Sequence, residues 1–171
     1  MTKPRVICGV DNGASGSLGI LIDDSGALFH ETPALKTRSY TKREQYVTRV
    51  NYPLLYEILS LYPGALLVTE RPMLNPTRFA QSISAARAYE ALLIAADRAG
   101  IPEPLTIDSK VWQRALLPEG TAGSEALKKA SLAVGEELYP HLGRTIRKHG
   151  DADGLLIAVW AKQTGLGERD R

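Results

Sequence analysis

Three stretches of this chain carry carboxylates at positions suited to chemistry: Asp11 after the run Arg5–Val10, Glu70 after Ala65–Thr69, and Asp151 with Asp153 ahead of Gly154–Ala161. Arg5-Val6-Ile7-Cys8-Gly9-Val10 is apolar and β-branched, the pattern of a strand buried on both faces. Asp11 closes it. A carboxylate on the last residue of such a strand is costly to desolvate, so it is either hydrogen-bonded into the following turn or kept for a cation. Glu70 closes a second apolar strand in the same way. If the two strands are parallel neighbours, both acids reach one sheet edge, where only a shared proton or bound cations relieve their repulsion. Asp151 reads either as the N-cap of the apolar helix Gly154–Ala161 or as a ligand, and Asp153 in the first turn also suits the helix dipole.

Hard divalent cations take oxygen ligands, and two of them roughly 3.5–4 Å apart can clamp a scissile phosphate. No other catalytic set competes in this sequence: it has no Walker motif, no Cys/His zinc spacing and no G-x-S-x-G elbow. The only histidines are His30, His141 and His149, so the donors favour magnesium over zinc.

The elements that must position these acids follow from the pattern along the chain. Asn12–Gly16 is a glycine-rich turn into a second strand, Ser17–Ile22, and the turn Asp23–Gly26 leads to a third, Ala27–Thr32, giving an antiparallel meander. Lys36–Arg49 has five Lys/Arg against one Glu and includes Tyr40 and Tyr46. It is either a solvated loop leading into a helix or a surface that lies along phosphates. Helical spacing over Tyr46–Leu61 predicts a helix interrupted or kinked at Pro53. Such a helix, crossing back over the sheet, makes Ala65–Thr69 parallel to the first strand.

After Glu70 comes the loop Arg71–Phe79. There Phe79 packs the start of the next helix, while Met73 or Leu74 is free to act as a wedge between bases with Arg71 and Arg78 on phosphates. Ala80–Ala99 is an alanine-rich helix, Pro104–Asp108 a short fifth strand, and Ser109 the cap of a helix bearing Lys110, Trp112 and Arg114. A helix from Ser124 to Tyr139-Pro140 turns Leu127, Ala130, Leu132, Ala133 and Leu138 inward and Lys128 and Lys129 outward. His141–His149, with Arg147 and Lys148, reads as a basic linker.

The 171 residues suit one domain, and 44% apolar with 23% charged residues is ordinary for a soluble protein. A net charge of +2 excludes nothing by itself. No apolar run approaches the roughly 20 residues of a membrane helix and the first residues lack a signal-peptide core, so a cytoplasmic location is expected. Cys8 is single and cannot form an internal disulfide.

The order of strand-Asp-hairpin, apolar strand-Glu, a Lys-Val-Trp segment and a terminal Asp-Ala-Asp-Gly-Leu-Leu-Ile-Ala-Val resembles the RNase H-like nucleases. Within them it resembles the RuvC-type Holliday junction resolvases, phage versions included, over essentially the whole chain. The resemblance implies one α/β nuclease domain over residues 1–171. Its five-stranded mixed sheet has the first three strands antiparallel and the fourth and fifth parallel, flanked by helices. It also implies a homodimer that cuts four-way DNA junctions with two Mg²⁺ ions per site, Mn²⁺ substituting, for recombination and repair. By position, Asp11, Glu70 and Asp153 resemble the family's catalytic and metal-binding acids, and the loop after Glu70 the one that enters the junction, with Met73 near the wedge. DNA contacts are then expected from Arg71, Met73, Leu74, Arg78, Lys110, Lys128, Lys129, Arg147 and Lys148. The chain departs from the family at the last motif: the partner of the final acid is His149, which a helix would place on the same face, or Asp151 if the helix begins after it. The usual wedge aromatic is absent. Two other readings compete, an actin-like or sugar-kinase ATPase fragment using Asp11-Asn12-Gly13 as a phosphate loop, and a non-catalytic junction-binding protein of the same fold.

Overall fold

The computed structural model describes residues 5–23, 26–39 and 45–166. The turn residues Asp24 and Ser25, and Tyr40 with the cations at 42 and 43, lie outside them. Strands β1 (Val6–Val10), β2 (Ser17–Ile22) and β3 (Gly26–Glu31) form the antiparallel meander. β4 (Ala34–Arg38) and β5 (Tyr46–Val50) follow, then α1 (Tyr52–Leu59), β6 (Leu66–Glu70), a 3₁₀ turn at Pro76–Arg78, α2 (Phe79–Arg98) and β7 (Leu105–Ile107). α3 (Ser109–Leu116), α4 (Ser124–Leu138), α5 (Gly143–His149) and α6 (Asp153–Gln163) complete the described chain. The main sheet has the order β3-β2-β1-β6-β7, with β6 parallel to β1 and β7 parallel to β6.

Both faces of this sheet are covered, giving three layers. Cys8, Val10, Leu18, Ile20 and Leu67 pack under α1 and α2, against Leu55, Leu59, Leu92, Ala95 and Ala96. Ile7, Leu21, Phe29 and Val68 face α6 and Trp112 on the other side. Helix α6 is buried at every position from Gly154 to Val159, as expected of a helix apolar all round.

Its seat on the sheet is a contact of backbone on backbone. Gly9 and Gly19 are direct partners across β1 and β2. A Cβ at Gly9 would lie 2.3 Å from the Ala158 nitrogen and the Gly154 oxygen, and one at Gly19 would lie 2.2 Å from Leu155 Cα. On the helix side, a Cβ at Gly154 would come within 2.4 Å of the Ser17 carbonyl oxygen. The Gly154 amide also donates to Ser17 Oγ at 3.1 Å, which satisfies a donor of the first helical turn.

Several expectations are corrected. The described chain has seven strands, because β4 and β5 pair antiparallel as a separate two-stranded ribbon where a loop and the start of a helix were expected. The β-branched residues Val47, Thr48 and Val50 favour extended backbone. Pro53 does not kink a helix but starts one, in the first turn where its missing N–H is harmless, with Asn51 Oδ1 accepting from the Leu54 amide at 3.5 Å. Asp108, not Ser109, caps α3, accepting from the Lys110 amide at 2.9 Å. The expected linker 141–149 folds as a 3₁₀ turn at Pro140–Leu142 and helix α5, because Ile146 is buried and Gly150 supplies a left-handed terminus at φ 104°. In α4 Leu127, Ala130 and Leu132 pack partly buried against the core as expected, but Ala133 and Leu138 are exposed and the fully buried positions are Ser131 and Gly135. Phe79 does not pack the start of α2 but is 73% exposed.

Gly19→Ala is expected to destabilise the protein by about 3 kcal/mol or more, since the added methyl meets backbone that cannot move aside as a side chain would. Urea unfolding checks this; a loss under about 1 kcal/mol would mean that α6 is not seated as described.

Candidate active site

Parallel pairing of β1 with β6 runs to Val10 opposite Thr69, so Asp11 and Glu70 leave the same sheet edge side by side. Thr69 Oγ1 reinforces this end, donating to the Val10 carbonyl at 3.1 Å. Gly16 permits the turn that follows Asp11, since a Cβ there would lie 2.1 Å from the Asp11 carbonyl oxygen. The seat of α6 brings its first turn to the same edge. Asp11, Asp151 and Asp153 each offer a ligand atom, and these atoms lie within 4.8 Å of one another.

Glu70 is not one of that trio, but it stands close enough to push on it. Burial raises the Asp11 carboxyl to about 8, helped by the charges of Glu70, Asp153 and Asp151 and opposed by His149. Burial also lifts Asp153, to about 6, against the hydrogen bond it accepts from Ser131. Glu70 moves up for the same first reason, with Asp153, Asp108 and Asp151 adding to it and Trp112 opposing. Asp151 goes the other way: burial opposes its ionisation, but the hydrogen bond and charge of His149 outweigh that and hold its carboxyl below the usual range. Its Oδ1 lies 3.4 Å from His149 Nε2, and the imidazole is correspondingly raised by Asp151 despite its own burial.

The two residues between which the sequence left a choice therefore lie beside each other, Asp151 among the clustered acids and His149 against it. Asp151 is not the N-cap: Ala152 occupies that position, and among backbone amides the carboxylate accepts only from Asp153, at 3.5 Å.

Two supports were not foreseen. Trp112 Nε1, fully buried on α3, donates to Glu70 Oε1 at 2.6 Å. Ser131 Oγ on α4 donates to Asp153 Oδ1 and accepts from the Ala152 amide at 3.0 Å, fixing both ends of the turn that carries the acid. The only sequence signals were an indole between the cations Lys110 and Arg114 and a hydroxyl in a helix otherwise expected to bury apolar groups.

The expected DNA-contacting residues divide. Met73 and Leu74 are 75% and 66% exposed in the loop after Glu70, and Arg71 and Arg78 are exposed with them. Lys110 on α3 and Lys129 on α4 are also exposed. Lys128 instead leans on the acidic cluster, 3.9 Å from Asp151 Oδ2. Arg147 pairs with Glu136 at 2.5 Å and Lys148 with Glu31 at 3.7 Å, so both already have carboxylate partners.

Because the folded Asp11 binds its proton more tightly than an unfolded aspartate, ionising it costs stability. That stability is complete below about pH 4 and is lost as pH rises through about 8. Thermal unfolding of the metal-free protein should therefore fall between pH 6 and 8, and Asp11→Asn should flatten the fall and unfold at a higher temperature at pH 8. Identical pH profiles for the two proteins would show that burial and the neighbouring acids do not raise the Asp11 carboxyl as described.

Neither family models nor curated proteins match the chain. Among solved structures, the chain is similar to T. thermophilus RuvC in complex with a Holliday junction substrate. The two are 15% identical with a TM-score of 0.55, over 94% of this chain and 97% of that one. The mixed α/β fold, with its five-stranded mixed sheet and flanking helices, is thus shared with RuvC, and among the described residues no helix is long and apolar enough to cross a membrane.

Proposed function

We propose that the chain is a metal-dependent endonuclease that resolves four-way DNA junctions, acting as a homodimer of one nuclease domain. The observation that carries this reading is the convergence of Asp11, Asp151 and Asp153 at the edge where Glu70 also ends its strand. Four carboxylates gathered in a buried setting are tolerable when ionised only if positive charge joins them. Oxygen donors suit Mg²⁺ or Mn²⁺, and two divalent ions match four carboxylates in charge. Asp11, Glu70, Asp151 and Asp153 would hold them. Such ions, when bound, activate water and neutralise the leaving oxygen of a phosphodiester.

The protein's own groups prepare that edge. Trp112 holds Glu70 and Ser131 holds Asp153, so neither carboxylate has to be ordered when substrate arrives. His149 keeps Asp151 ionised. The loop after Glu70 presents Met73 and Leu74 to solvent, with Arg71 and Arg78 nearby in sequence, a combination that suits prying bases apart while gripping phosphates. The exposed Phe79, at the start of α2, adds an aromatic to that surface. The fold shared with RuvC, which was solved on a Holliday junction, supports the choice of substrate.

Purified protein incubated with a four-way junction, a duplex and an RNA–DNA hybrid should cut the junction in preference and only with Mg²⁺ or Mn²⁺. Asp11→Asn and Glu70→Gln should each abolish cutting while junction binding persists, because the charge removed opposes phosphate. Ser131→Ala should lower activity roughly 10–100-fold, as loss of a group that orients a metal ligand does. Cutting of the hybrid alone would move the reading to a ribonuclease, and undiminished cutting by the Asp11 variant would remove that residue from the site.

A further inference from the structure

The ribbon β4–β5 is not used by the site as described, yet it is built out from the site's rim. Its two strands leave the main sheet between Thr32 and Asn51, where the Asn51 amide donates to the Pro33 carbonyl at 2.8 Å and the Thr32 amide to the Gly16 carbonyl at 2.9 Å. Thr32 and Val50, at the base of the ribbon, line a small cavity together with Asp11 and Asn12. A second depression joins Ala14 and Gly16 of the Asp11 turn to Pro33, Ala34 and His149. The base of the ribbon is therefore continuous with the acidic edge.

The two faces of the ribbon differ. Leu35, Thr37 and Val47 are half-buried and line a cavity of about 800 Å³ shared with Ile83, Arg87 and Ala91 of α2. On the other face Lys36, Arg38 and Tyr46 are exposed, with Arg38 directly opposite Tyr46, while the exposed Thr48, opposite Lys36, and Arg49, opposite Leu35, also line the cavity. Neither Lys36 nor Arg38 has a carboxylate partner among the described residues, unlike Lys128, Arg147 and Lys148. The described residues of the ribbon contain no acid at all. Two-stranded ribbons expose edges that invite pairing with other chains, and unpaired cations on such an element discourage this while offering a track for phosphate.

We infer that the outer face of β4–β5 is a guide rail for one duplex arm of the DNA substrate, with Lys36 and Arg38 on its phosphates and Tyr46 against its sugars. This rests on the nuclease reading. Five residues per strand span about 17 Å, or about five phosphates of one DNA strand at 3.4 Å each, so the rail engages only an arm that extends beyond the crossover.

The test measures binding of four-way junctions with long and with truncated arms by fluorescence anisotropy over a range of salt, without divalent ions. Wild type is compared with Lys36→Ala/Arg38→Ala and with the charge-keeping Lys36→Arg/Arg38→Lys. The alanine pair should weaken long-arm binding roughly tenfold and flatten the log–log salt dependence by about 2, while the charge-keeping pair binds as wild type. Binding of junctions with arms of only a few base pairs should be unchanged. Equal loss on both arm lengths, or no loss on either, overturns the rail. Wild type that cuts junctions although the alanine pair binds normally leaves the nuclease standing without it. If wild type binds no DNA, both readings fall together, and a matching thermal unfolding profile for the variants excludes misfolding as the cause of any loss.

Discussion

The candidate site depends on how closely α6 can approach β1 and β2. A helix lying on a sheet normally keeps its distance because side chains fill the gap between them. Here Gly9 and Gly19, paired across the two strands, remove the side chains from one side, and Gly154 removes one from the other. The helix settles until its backbone touches the strands, and its first turn is carried to the edge where Asp11 ends β1. A methyl group on any of these glycines would lift the helix and with it Asp151 and Asp153. The residues that place the acids are thus ones with no chemistry of their own.

Close approach has an electrostatic consequence. Burial and mutual repulsion raise the carboxyls of Asp11, Glu70 and Asp153, so without cations the edge tends to retain protons. Asp151 is the exception because His149 supplies a counter-charge. The indole of Trp112 and the hydroxyl of Ser131 donate to the ionised forms of Glu70 and Asp153 and oppose this retention in part. An edge whose acids hold protons in the absence of cations and are ordered by their own hydrogen bonds is prepared for divalent cations, since binding them displaces the protons.

Much of this was legible along the chain. Asp11 and Glu70 stand out because each ends an apolar strand, and parallel pairing follows from the crossover between them. Asp153 stands out because the helix behind it has no polar face to explain an acid. Trp112 and Ser131 were not legible as supports, because their partners lie 42 and 22 positions away and meet them only through tertiary packing. The ribbon was missed for a different reason: the cations of residues 36–49 masked a weak two-residue alternation, and the apolar spacing after Tyr46 fits a helix nearly as well as a strand. Pro53 was ambiguous between breaking that helix and starting it, and the cap at Asn51 decides the matter. Helix α5 was hidden by its basic composition, with Ile146 its single fully buried apolar residue.

The central claim is that acids far apart in sequence form one cation-binding edge. Anomalous diffraction from crystals soaked in Mn²⁺ tests it most directly. Peaks should appear among the carboxylates of Asp11, Glu70, Asp151 and Asp153 and disappear in crystals of the Asp11→Asn variant. Manganese bound elsewhere, or no ordered manganese at concentrations that saturate activity, would contradict the account.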